Sequence, residues 1–208
     1  TAEAMADALR GVGRSPDADM ARRATAVTRL IVLPFRLLTP DSDVEFLPFS
    51  LAEAIASSLT ALDTLVVRSS LVAARFATGI PDFERIATEA SVDVIVSGTL
   101  MRSGAQLRVA TELIEVPSGR VIWSKASHVR MGDIVGLHED VTRRIVESLS
   151  LPLSEREQRA LGRDVPSNAR AYEFYLRGMQ LSRDPRSLDL ARDMYLEAVG
   201  ADPAYAPA

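Results

Sequence analysis

The sequence predicts an α/β fold: a mixed sheet of three parallel strands plus an antiparallel meander with flanking helices, followed by an α-helical hairpin. Three observations carry this. In the first half, short runs rich in β-branched residues alternate with amphipathic helical segments, the pattern of strand and crossover helix. From Val92 to Met131, three apolar runs are broken at Ser103-Gly104 and at Pro117-Ser118-Gly119, residues whose backbone angles let a strand reverse. From Asp133 onward the apolar residues recur at helical spacing.

Taken in order, Thr1 to Arg10 places Ala4, Met5, Ala8 and Leu9 at helical spacing behind Thr1, an N-cap type, and Gly11 to Gly13 ends that helix. Arg14 to Ala26 reads as a polar linker. Arg29 to Phe35 is the first strand, ended by Pro34, and its unbroken apolar run predicts burial on both faces. Phe49 to Leu62 puts Leu51, Ile55, Ser58, Leu59 and Leu62 on one helical face. Thr64 to Ser69 is the second strand. Pro81 sits at the expected N1 position of a helix over 82–90, with Phe83, Ile86, Ala87 and Ala90 inward.

Val92 to Met101 is the third strand and opens the meander. Right-handed crossovers make strands one, two and three parallel, with the remaining two antiparallel to their neighbours. Asp133 to Leu149 closes the domain with Ile134, Leu137, Val141, Ile145 and Leu149 on one face, and a short helix over 154–161 leads to a linker containing Pro166.

Bulk properties exclude several functions. The 208 residues, 47% hydrophobic and 25% charged, are those of a globular chain. A net charge of -4 argues against a nucleic-acid partner, which needs a surplus of Lys and Arg on one face. No apolar segment has membrane length, and the first residues lack the basic start and continuous apolar stretch of a signal peptide. Without cysteine there is no disulfide, thiolate metal site or Cys nucleophile.

With the strands placed, I-V-L-P-F at 31–35, L-A-E-A-I-A-S-S-L at 51–59, L-V-V-R-S-S at 65–70 and V-D-V-I-V-S-G-T-L at 92–100 can be read together. With L-R-V-A-T-E-L-I-E, S-G-R-V-I-W-S and the closing D-I-V-G-L-H-E-D-V-T-R-R-I, they resemble the amino-terminal domain family of TolB over about 29–151. T-A-E-A-M-A-D-A-L at 1–9 resembles the last helix of bacterial serine/threonine protein kinase domains. A-Y-E-F-Y-L-R-G at 171–178, with Ala191, Tyr195, Ala198 and Pro203, resembles a tetratricopeptide repeat. The turn at Asp184-Pro185-Arg186 is one residue longer than usual there, and Phe174 stands where tryptophan is common.

These resemblances imply an N-terminal helix and linker over 1–28, a TolB-like domain over 29–151, a connecting helix and linker over 152–166, and a first repeat over 167–208. One repeat cannot bury its own face, so more are expected to follow.

Candidate chemistry is sparse. His128 and His138 have no third ligand at metal spacing, so both are expected to be structural or exposed, and no metal or other cofactor is expected. Ser57-Ser58 and Ser69-Ser70 show no base at a recognisable spacing. Gly11-Val12-Gly13 lacks the strand and later glycine of a dinucleotide loop. Ligands in open α/β sheets favour the crevice beyond the carboxyl ends of the strands. That edge offers Asp41 and Asp43 after strand one and Arg68, Ser69 and Ser70 after strand two, against the bland alternative of strand-end and capping residues. Trp123 is expected in the core rather than as an exposed anchor. Tyr172, Tyr175, Arg177 and Tyr195 are the candidate contacts for a protein or peptide partner on the repeat, although Tyr175 and Tyr195 equally suit packing.

The functional expectation is a non-catalytic sensory and protein-interaction module of a bacterial signalling protein, with a serine/threonine kinase as parent and the cytoplasm as its compartment. The alternatives are a small-molecule or nucleotide-binding domain, or a periplasmic TolB-like assembly factor.

Overall fold

The computed structural model describes residues 27–163 and 168–205. The expected N-terminal helix, its Gly11 to Gly13 end, the linker from Arg14 to Ala26, and Pro166 of the later linker lie outside these residues.

β1 (Thr28–Val32) is an inner strand of the sheet. Its side chains alternate between two cores: Leu30 and Val32 join one, Ile31 and the following Leu33 the other. That double burial is why the run is apolar without interruption. β3 (Leu65–Val67) pairs parallel to β1 on one side, and β4 (Val94–Ser103) pairs parallel to it on the other, with Leu30 opposite both Val67 and Val94. β5 (Gln106–Glu115) and β6 (Arg120–Arg130) complete the order β3-β1-β4-β5-β6 as an antiparallel meander. Gly104 and Gly119 take φ of 60° and 70° in its two turns, a conformation that glycine adopts without steric cost.

The expected strand order and directions are therefore present, with one addition. After Pro34 the chain resumes as β2 (Arg36–Leu37), which pairs parallel to Thr99–Leu100 of β4. A two-residue strand is too short to leave a periodic signal.

One face of the sheet carries α1 (Leu47–Leu59) and α4 (Ile134–Ser148). Leu51, Ile55, Ser58 and Leu59 are all buried, as their spacing requires, and so are Ile134, Leu137, Val141 and Ile145. The other face carries α2 (Ser70–Ala74), a short helix that the sequence reading missed, and α3 (Phe83–Ala90). The N-cap of α3 is Asp82, whose carboxylate accepts from the Arg85 N–H at 3.0 Å, so Pro81 precedes the cap rather than opening the helix.

α5 (Glu155–Arg163) begins with a reciprocal capping box. Glu157 accepts from the Ser154 N–H at 2.8 Å and Ser154 Oγ accepts from the Glu157 N–H at 3.3 Å. The second Glu157 oxygen accepts from the Asp63 N–H at 2.9 Å, tying α5 to the turn after α1. The Ser154 hydroxyl, which donates to the Glu157 carboxylate at 2.7 Å, holds that carboxyl below its usual range, helped by the N–H groups of Ser154 and Asp63.

α6 (Ala169–Leu181) and α7 (Leu188–Ala201) form the helical hairpin. A Cβ at Gly178 would lie 2.7 Å from the Tyr195 ring, so the close approach of the two helices needs glycine there. The hairpin's inner face is not separate: Tyr172, Leu176 and Tyr205 belong to the same core as α1, α4 and the sheet. Trp123 is half-buried, packed against that core from β6.

Candidate functional site

α2 and α3 cover only the β3, β1 and early β4 part of their face, and beyond them the sheet opens into a cleft of about 300 Å³. Its floor is made by Ser97 and Thr99 of β4 and by Ala110 and Glu112 of β5, which register directly opposite them. Arg36 of β2, opposite Thr99, borders it. Leu33, Ile114, Phe76 and Phe83 supply apolar walls.

Strand alternation explains why these side chains share a face. Gly98, between Ser97 and Thr99, points into the first core, where an added Cβ would meet the Phe35 ring at 2.4 Å and the Ala110 carbonyl at 2.6 Å. Its lack of a side chain lets Phe35 fill the space behind the cleft floor.

The charges in this cleft are unmatched. Neither Arg36 nor Glu112 has a hydrogen bond or ion pair among the described residues. Four arginines on neighbouring elements are held: Arg75 and Arg85 by Glu89, Arg120 by Glu115, Arg102 by Asp41 and Asp43. The arrangement offers a donor fork and a carboxylate above two hydroxyls and beside two aromatic rings, a set able to orient a small polar ligand.

The residues expected at the crevice are not gathered into one site. Arg68 donates from Nη2 to the Ser91 carbonyl at 2.9 Å, and its backbone N–H donates to the Leu30 carbonyl in β1. Ser69 is the N-cap of α2 and Ser70 its first residue. Asp41 and Asp43 both meet Arg102, near the far end of β4. Leu30 registers with Val94, and the eight strand residues from there to Arg102 span on the order of 25 Å, too far for one small ligand. Of the expected edge after strand one, the part that lines the cleft is Pro34 and Arg36.

The expected partner contacts on the hairpin need one firm correction. Tyr172 is fully buried and reaches no partner; its hydroxyl lies 2.5 Å from His138 Nδ1. Tyr175 stacks between the rings of Tyr172 and Tyr195 and meets Tyr205 edge-on. Arg177 lies 4.1 Å over the Phe46 ring and pairs with Glu173 at 2.8 Å, while the Tyr195 hydroxyl is 3.2 Å from Ser182 Oγ. All four join the hairpin together or dock it onto the α/β layer.

His138 proves to be a junction between helices. Its Nε2 lies 3.1 Å from Ser58 Oγ on α1, so Ser58 does have a nitrogen base beside it. A neutral imidazole has one donor and one acceptor nitrogen, and the phenol is the stronger acid of the two hydroxyls. Tyr172 therefore donates to Nδ1, and Nε2–H donates to Ser58. Burial alone holds His138 down to about 4 and the Tyr172 phenol, chiefly by the same desolvation, well above its usual value. Ser58 and His138 are each 2% exposed, so substrate cannot reach this pair; the relay is a structural joint. His128 is exposed on β6. Among the described residues, no group of three or more His, Cys, Asp or Glu side chains converges as a metal site would require.

No family model matches the chain. Over 183 residues, 86% of its length, it is 26% identical to the protein of Rhizobium meliloti (strain 1021) named "Putative adenylate cyclase 3", of which it spans 31%. Its fold is similar to TolB from Acinetobacter baumannii, with a TM-score of 0.45 and 14% identity, covering 60% of this chain and 28% of that one. It is also similar to lipoprotein GNA1162 from Neisseria meningitidis, with a TM-score of 0.44 and 14% identity over 59% of this chain and 98% of the other. The LpoB C-terminal domain from Salmonella enterica follows at 0.36 and 16%, covering 51% and 84%.

TolB thus stands among the structural neighbours of a chain whose sequence resembles its family. The expectation of a module set apart from enzymes is corrected: the relative that matches most of this chain is named a cyclase. That name is not a kinase's, and the kinase setting gains no support from it. No described helix is long and apolar enough to cross a membrane.

Proposed function

We propose that this chain is a TolB-like ligand-binding region that regulates a signalling enzyme of the adenylate cyclase kind. The observation that carries this is the cleft, where Arg36 and Glu112, unpaired among the described residues, border a floor that includes Ser97 and Thr99. The 26% identity over 86% of the chain supports the enzymatic setting in place of the kinase parent. In this reading the α6–α7 hairpin is a tetratricopeptide unit. The exposed Leu188, Leu196 and Val199 on α7 share the face on which a further unit or a protein partner packs.

The test is cyclic AMP formation from ATP by the full-length protein carrying this region. Substituting Arg36 and Glu112 by alanine should change the rate by about fivefold or more, the scale of ordinary allosteric coupling. A full-length protein that makes no cyclic AMP, or whose rate ignores both substitutions, overturns the reading.

A further inference from the structure

The cleft's chemistry narrows its ligand. Its two charged groups are opposite in sign and neither has a partner among the described residues, so both are open to a bound molecule. A mononucleotide would satisfy Arg36 but set its negative charge against the Glu112 carboxylate, and a polyamine would do the reverse. A molecule with one anionic and one cationic end pairs with both groups at once, each through a charge-assisted hydrogen bond.

The spacing selects among such molecules. Arg36 registers with Thr99, Thr99 with Ala110, and Glu112 lies two residues beyond Ala110 on the same face. Two strand spacings across and two residues along separate their Cα atoms by about 12 Å. In a free amino acid both charges sit on substituents of one carbon, too close together to meet both groups comfortably. Two residues of extended peptide span ~7 Å, and the side chains bridge the remainder. Between the charged ends, the Ser97 and Thr99 hydroxyls line the cleft without hydrogen-bond partners among the described residues, placed for a peptide N–H and C=O. Phe76 and Phe83 provide an apolar wall for a side chain.

We propose that the cleft binds a dipeptide as a zwitterion. Its carboxylate sits on Arg36, its ammonium on Glu112, its amide over Ser97 and Thr99, and an apolar side chain against Phe76 and Phe83. The proposal rests on the reading of the cleft as a ligand site and goes further in naming the ligand class.

The test is calorimetric titration of the protein with L-alanyl-L-phenylalanine, its N-acetyl derivative, its C-terminal amide, and cyclic AMP. The free dipeptide should bind, and blocking either end should weaken it about tenfold, the value of one charge-assisted hydrogen bond. Arg36→Gln should abolish the preference for the free carboxylate while keeping that for the free ammonium; Glu112→Gln should do the opposite. Both side chains are exposed at the cleft, so the variants keep the native thermal midpoint, which is checked alongside. Dipeptide binding that ignores both substitutions overturns the proposal. Cyclic AMP binding in an Arg36-dependent way with no dipeptide binding overturns the proposal but leaves the ligand-site reading intact; no binding by any of the four compounds overturns both.

Discussion

His138 joins the helical hairpin to the α/β layer, and that makes the protein's stability sensitive to pH in a calculable way. Folded, its imidazole stays neutral down to about 4 because burial penalises the charged form. Unfolded, it titrates near 6.5. Between those values the unfolded chain binds a proton that the folded chain refuses, so stability is complete above about pH 6.5 and is lost as the pH falls toward 4. The difference of roughly 2.5 units corresponds to on the order of 3 kcal/mol in full, of which about 2 kcal/mol falls between pH 7 and pH 5.

The assay is urea unfolding across that interval for the protein and for His138→Gln, which keeps hydrogen-bonding capacity but does not titrate. The native protein should lose about 2 kcal/mol more than the variant as the pH drops from 7 to 5. Restricting the range to pH 5 and above keeps most carboxylate titration out of the comparison. Equal losses in the two proteins would refute the buried neutral histidine.

Further substitutions probe the same architecture. Tyr172→Phe removes the donor to His138 and leaves Nδ1 buried without a partner; urea unfolding should show a loss of about 1–3 kcal/mol, and an unchanged midpoint would deny the joint. Gly98→Ala forces a methyl group against Phe35 and the Ala110 carbonyl, and thermal melting should show a loss of about 1–3 kcal/mol; a neutral result would mean that Phe35 and β5 do not crowd Gly98 so closely. Ser154→Ala removes one side of the α5 capping box and should cost about 1 kcal/mol in the same assay, with no loss if α5 contributes nothing to the fold.

Much of the architecture was legible in the sequence because burial writes itself into periodicity. The unbroken Leu30 to Leu33 run reported a strand covered twice, and the glycines at 104 and 119 marked the reversals of the meander. Helix faces followed from 3.6-residue spacing, as at Leu51, Ile55 and Leu59. What spacing cannot report is which distant elements meet. Ser58 and His138 are 80 residues apart and His138 and Tyr172 are 34 apart, so no local pattern joins them. Tyr172 also misleads locally, since a tyrosine suits a surface contact as well as a core with a hydrogen-bond partner.

The cleft was hidden for a similar reason. Arg36 lies in a strand of two residues, and Glu112 reads as an ordinary solvent-facing position in an alternating strand. Register alone sets them on one face. The one local signal is Gly98 within a strand pattern, since glycine there marks a close approach of another group. Asp41, Asp43 and Arg68 looked more suited to a ligand by type, but each already has a partner within the fold.

The most direct test of the cleft as the functional site is a map of backbone amide chemical-shift changes as L-alanyl-L-phenylalanine is added to the 15N-labelled protein. The account predicts saturable changes clustered at Ser97 to Thr99, Ala110 to Glu112, Arg36 and the 76–83 loop. Changes centred on the α6–α7 hairpin, or none at all, would contradict it.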